Sequence, residues 1–247
     1  MPDGLQLKER SEFMKKQLVI AVAAAGISLA SLGVQAYEQG DIVFRAGIAT
    51  VAPTGDSDAI ELPTSPTTVL PGGVDVDDGT AISLIATWMM LDNWGVELLA
   101  ATPFKHDIDL VDLPVAAGST KHLPPTVSIQ WYPRGGMEGW QPYLGLGINY
   151  TTFFSEDVDS ELGAVLGDLL DVTSAKLSLD DSMGLAAQAG VDIPLSDKWA
   201  LNLGLWYIDI ATTADIDVTT GSGGNATLSF DVDIDPWVYN IGVAYKF

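Results

Sequence analysis

Apolar and polar residues alternate with period two along most of the chain after residue 40. That period marks strands whose two faces differ chemically. Eight runs of roughly ten residues show it, near 40–52, 79–91, 94–103, 122–133, 140–153, 179–194, 198–211 and 235–247. In the first, Ile42, Phe44, Ala46 and Ile48 alternate with Val43, Arg45, Gly47 and Ala49. In the last, Trp237, Tyr239, Ile241, Val243, Tyr245 and Phe247 alternate with Val238, Asn240, Gly242, Ala244 and Lys246. One face is thus large, aliphatic and aromatic, and the other is built mostly of Gly, Ala, Ser, Thr, Asn and Gln. A soluble barrel would turn its large apolar residues inward, where these small and polar rows would leave a poor core. A barrel in lipid does the reverse, and its closed sheet satisfies every strand hydrogen bond.

The connections alternate too. Those at 92–93, 134–139 and 195–197 are short, and those at 53–78, 104–121, 154–178 and 212–230 are long. Antiparallel pairing puts all the short links at one end. The expectation is therefore all-β: an eight-stranded antiparallel transmembrane β-barrel with long extracellular loops and short periplasmic turns. Within the third loop, Glu161 to Val172 has the composition of a short amphipathic helix.

The chain start reads differently. Lys15 and Lys16 precede an apolar stretch from Leu18 to Leu32, followed by Val34-Gln35-Ala36, the layout of an export signal with cleavage before Tyr37. Residues 14–36 are the expected signal, 1–13 an upstream extension, and 37–247 the barrel. Composition narrows the function. A net charge of −22 excludes a phosphate-binding surface and so nucleic acid. The absence of cysteine excludes disulfides and thiolate chemistry.

Several stretches carry a family resemblance. "NWGVELLAATPFKHDI" (Asn93 to Ile108), "KHLPPTVSIQWYP" (Lys121 to Pro133), "PYLGLGINYTTFF" (Pro142 to Phe154), "WYIDIATTA" (Trp206 to Ala214), "DPWVYNIGVAYKF" (Asp235 to Phe247) and "RAGIATVAPT" (Arg45 to Thr54) resemble the OmpW family of small outer-membrane proteins. The resemblance implies an eight-stranded barrel with both termini in the periplasm of a Gram-negative bacterium. It also implies a narrow hydrophobic channel for small hydrophobic molecules. The acid-rich long loops depart from it.

The inward-facing rows single out candidates. Leu99 and Trp206 are large apolar groups among small and polar neighbours, placed to form a channel constriction. Toward the long loops the faces exchange character. Ile208, Ile210, Val232 and Ile234 point inward as an apolar lumen, while Asp209, Asp231, Asp233 and Asp235 point outward as an acidic outer rim. Carboxylates there suit hard cations that bridge to anionic lipopolysaccharide, though no compact metal-binding spacing accompanies them and no metal or cofactor is expected. His106 and His122 flank the second long loop, and their combination with Ser119 or Ser128 has nothing to fix a catalytic geometry. They are expected to serve structure, and the chain is not expected to be an enzyme. "GSGGN" (Gly221 to Asn225) is expected to be a flexible loop tip. The expected function is passive passage of a small hydrophobic solute through a monomer that contacts outer-membrane lipid. The alternative is a non-conducting surface or stress protein whose loops bind bridging cations or a partner.

Overall fold

The structure, a computed structural model, describes residues 37–247 apart from 63–67, 71–72 and 112. The signal and the upstream extension lie outside the described residues. In chain order the strands are β1 (Ile42–Ala52), β2 (Ile60–Leu62), β3 (Thr68–Leu70), β4 (Val74–Val76), β5 (Gly79–Leu91), β6 (Trp94–Ala101), β7 (Phe104–Leu110) and β8 (Ala116–Leu123). They continue with β9 (Thr126–Trp131), β10 (Gln141–Val158), helix α1 (Ser160–Leu170), β11 (Val172–Leu179) and β12 (Ser182–Pro194). The last are β13 (Trp199–Ile208), β14 (Ala211–Thr220), β15 (Asn225–Asp233) and β16 (Trp237–Lys246).

Eight of these close a barrel. The antiparallel order is β12-β13-β16-β1-β5-β6-β9-β10, and β10 pairs back onto β12. Closure joins residues far apart in sequence, with Val43 opposite Lys246 and Ala52 opposite Trp237. Burial follows the expected parity on the barrel strands. Val43, Arg45, Ala49 and Val51 of β1 are buried, while Ile42, Phe44 and Ile48 are exposed. Leu146 and Met183 are each 73% exposed, which for side chains of that size is a surface meant for acyl chains and not for water. Aromatic residues frame this belt, with Tyr245 in edge contact with both Trp199 and Phe247 near the short turns.

The expected fourth strand is divided. Pro124 and Pro125 interrupt it, so that β9 belongs to the barrel and β8 pairs instead with β7 and the far end of β10. Proline donates no ladder hydrogen bond, which is why the break falls there. The long connections are likewise more ordered than expected of loops. β4, β7, β8 and the end of β10 form one sheet, and β11, β14 and β15 form a second. "GSGGN" is the tight turn of the β14–β15 hairpin, with Gly223 at φ 83°.

Residues 54–58 stitch the two sheets together. Thr54 N and Gly55 N donate to Ile234 O, Asp58 N donates to Asp231 O, and Asp233 N donates to Asp56 O. Ser57 Oγ accepts from Val74 N at 2.6 Å, tying the same segment to β4. Helix α1 starts at Asp159, whose carboxylate accepts from Glu161 N, and ends at Asp171 in the left-handed region. It buries Leu162 and Leu166, one turn apart on one face, and Glu161 Oε2 accepts from Ala116 N to fix it to β8.

Candidate functional site

The lumen has two parts. The part nearer the short turns is filled by polar side chains around Arg45, which has no exposed side-chain surface. Arg45 grips Asp192 with two donors, Nη2 to Oδ2 at 2.6 Å and Nε to Oδ1 at 3.1 Å. It also donates to Thr87 Oγ1 and to the Tyr132 hydroxyl, and its Nη1 lies 3.7 Å from Glu97 Oε2. The Tyr143 ring stacks near the guanidinium, 5.2 Å from centroid to Cζ. Asp192 accepts further bonds from Tyr37 and Asn202. Gln130 donates to Glu97 Oε2 at 2.5 Å and to Gln188. A charge this far from water is tolerable only with such a full set of partners.

The small inward residues make this possible. A Cβ at Gly190 would collide with the Tyr143 ring, and one at Gly145 would sit within 2.6–2.9 Å of the Gln188 side chain. The glycine rows therefore do not leave a thin lumen. They give way to a few long polar side chains reaching across it, a correction to the view of these rows as poor filling.

Above this plug, apolar residues take over. Leu99 is 6% and Trp206 1% exposed, and both belong to one buried cluster with Ala49, Val51, Ile85 and Val238. A Cβ at Gly204 would strike the six-membered ring of Trp206, so the indole lies over that glycine. Its Nε1 is buried without a partner. Ile208, Ile210, Val232 and Ile234 are all buried in the same cluster. Asp209, Asp231 and Asp233 are exposed on the opposite face, as parity requires. Asp235 is half-buried, with φ 37°, and its Oδ1 accepts from Ile210 N, so it caps the β13–β14 step and is less a part of the rim. Among the described residues no group of three or more His, Asp or Glu is placed to hold a metal.

Beyond Leu99 and Trp206, within the two sheets of the long-loop end, lies a cavity. It encloses about 680 Å³ of empty space, part of it open to solvent. Val74, Phe153, Leu162, Leu177, Ile216 and Phe230 are among its walls. His106 and His122 also line it, their rings stacked at 4.8 Å. The structure makes these histidines diagonal neighbours on the paired strands β7 and β8, both 2% exposed. Burial, and then the neighbouring His106, push the His122 imidazole down to about 3. Burial also lowers His106, against the Asp77 carbonyl and the charges of Asp78 and Asp107. Both rings are therefore neutral near pH 7.

By their parity in the sequence Arg45, Glu97 and Asp192 all fall on inward faces, but sequence reasoning did not assemble them. The signal was available, because an inward Arg with two inward carboxylates in a narrow barrel must find them. The histidine pair had no comparable signal, since β7 and β8 had been read as loop.

A closed eight-stranded sheet with a lipid-facing belt and a plugged lumen defines an outer-membrane β-barrel. The OmpW family model matches residues 38–247, and the chain belongs to that family. It is 39% identical over 236 residues to outer membrane protein W of Vibrio cholerae, covering 94% of this chain and 100% of that protein. The crystal structure of OprG from Pseudomonas aeruginosa is similar at 42% identity and a TM-score of 0.75, over 87% of this chain and 99% of that one. The solid-state NMR structure of outer membrane protein AlkL shares the fold at 20% identity and a TM-score of 0.57, over 89% of this chain and 96% of that one. The protein is accordingly placed in the outer membrane of a Gram-negative bacterium.

Proposed function

We propose that this barrel is a passive path for small hydrophobic molecules, acting as a monomer and not as an enzyme, with the long-loop end facing outward. The observation that carries this is the apolar cavity at the long-loop end, above the Trp206 and Leu99 positions. A pocket with such a lining suits a small apolar solute, with a few polar groups to orient it. The implied function of the OmpW family points the same way. Trp206 and Leu99 act as the constriction, since both are large, inward and apolar where the lumen changes character. The acidic outward residues are a solvated rim toward lipopolysaccharide.

The Arg45 plug bears on the route. An axial solute would have to separate buried ion pairs, at a cost of several kcal/mol. The cavity therefore receives the solute, and departure runs by way of the membrane-facing wall. Uptake of a small apolar solute by cells carrying Trp206→Ala or Leu99→Ala tests the constriction. Each is expected to change the rate several-fold at equal barrel abundance, and an unchanged rate in both would sink it. The filled plug also favours a second reading, a non-conducting surface protein. Uptake identical in cells with and without the barrel would select that reading.

A further inference from the structure

The cavity walls are apolar, yet two of the side chains that line it carry polar atoms without partners. His106 Nε2 and His122 Nε2 are buried and make no hydrogen bond. The other polar side chains of the lining are committed elsewhere: Thr212 Oγ1 donates to Asp180 O at 2.7 Å, and Thr120 Oγ1 to Lys121 O at 3.4 Å. The imidazoles are the exception, and buried polar atoms in native proteins are rarely left unpaired without a role.

The chemistry of one of them is fixed. His106 Nδ1 lies 2.6 Å from Asp77 O. A carbonyl oxygen can only accept, so Nδ1 carries the proton. In the neutral ring Nε2 is then a bare lone pair, able to accept and unable to donate. The ring is held in place from two sides. His122 stacks on it at 18° between planes, and a Cβ at Gly79 would lie 2.7 Å from Nε2, so only glycine leaves this edge of the ring uncrowded. His122 in turn stacks on Phe104 at 5.4 Å and leans on Phe153 at 5.9 Å. The result is an unpaired acceptor on a firmly packed ring that lines an apolar chamber.

We infer that the cavity is a binding site for neutral amphiphiles, molecules with an apolar tail and one hydroxyl-type donor, whose O–H is donated to His106 Nε2. This rests on the reading of the cavity as a solute path and specifies what the solute carries. Alcohols, phenols and undissociated acids meet the requirement. Plain alkanes leave the lone pair unsatisfied, and carboxylate anions present acceptors to an acceptor. A site built around a buried acceptor discriminates strongly against analogues lacking the donor.

The test uses the full barrel in lipid nanodiscs, labelled with ¹⁵N at histidine and ¹³C at isoleucine methyls, titrated with 1-octanol and with n-octane. Shifts of the Ile216 and Ile234 methyls report occupancy for either probe. The His106 Nε2 resonance reports the head contact, because an accepted hydrogen bond moves a bare imidazole nitrogen. Octanol is expected to shift both signals, with octane shifting only the methyls and binding on the order of ten-fold more weakly. In His106→Phe the two probes are expected to bind alike. Equal binding of both probes to the unsubstituted protein, with Nε2 unmoved, overturns the inference and leaves the solute path standing. No methyl shift with either probe overturns both. The ¹⁵N signal of the unsubstituted barrel decides the matter even if the Phe variant does not fold.

Discussion

The two halves of the lumen solve opposite problems with the same inward row of alternate residues. Near the short turns the row carries Arg45, Thr87, Glu97, Gln130 and Asp192, and the space is filled by a connected polar network centred on the guanidinium. Near the long loops it carries Ile208, Ile210, Ile216, Val232 and Ile234, and space remains between the walls. A polar network in a confined lumen loses stability with every partner removed, so it is held closely filled. An apolar wall has no partners to lose and can stand open. Closure and access are thus divided between the halves by side-chain chemistry, with one continuous wall.

The largest test of that contrast is to break the plug. Asp192→Ala leaves Arg45 buried without its two-point partner and is expected to destabilise the barrel by about 3–5 kcal/mol, measured by urea unfolding in lipid vesicles. Arg45→Met combined with Asp192→Leu is expected to lose less than the sum of the two single changes. A double variant as unstable as the sum would mean that the pair is not the centre of the network.

Next comes the open half. Leu162→Ala removes a buried anchor of α1 and is expected to cost about 2–5 kcal/mol locally. Hydrogen exchange should rise over α1 and β11 while the barrel strands keep their protection. A uniform rise through the barrel would deny the independence of the halves.

A pH series is expected to have a smaller effect, confined to the same end. Both histidines titrate below their ordinary value of about 6.5, His122 at about 3. The unfolded segment therefore binds protons first, and stability conferred by the neutral rings is present above about pH 6.5 and lost as pH falls toward 3. Amide protection over β7 and β8 should drop through this window. His122→Phe should flatten the drop, and a slope unchanged by it would assign the effect to other groups. The smallest effect is expected at the rim, where Asp231→Asn should stay within about 0.5 kcal/mol in the same urea assay, because the Asp231 side chain is exposed and accepts from Thr213 Oγ1, a bond that asparagine can also accept.

The halves also differed in how far the sequence disclosed them. The barrel strands were legible because lipid imposes one rule on every outward residue, and β5 was read to its boundaries. The long-loop end follows the opposite rule, the one that water imposes. In β14, Ile216 and Val218 face in while Asp215 and Asp217 face out, accepting from Ser229 and Thr227. Those aspartates made a strand resemble a solvated loop. The inversion of faces at Ile208 and Asp209 was visible, but its continuation into two further sheets was not, because pairing between distant segments leaves no local mark. The histidine stack was hidden for the same reason, as it requires β7 and β8 to lie side by side. Trp206 and Leu99 stood out because size alone separates them from their row.

The pairing of β1 with β16 has a consequence in time. The strand at 42–52 waits for one at 237–246 before either has both neighbours. Contacts so distant in sequence form slowly, because the loop between them must close first. Until then the exported chain carries two unpaired edges that invite wrong partners. Its surplus of carboxylates then has a second use, since like charge keeps copies in transit from associating. The acid that surrounds the finished barrel is also what keeps the unfinished one soluble.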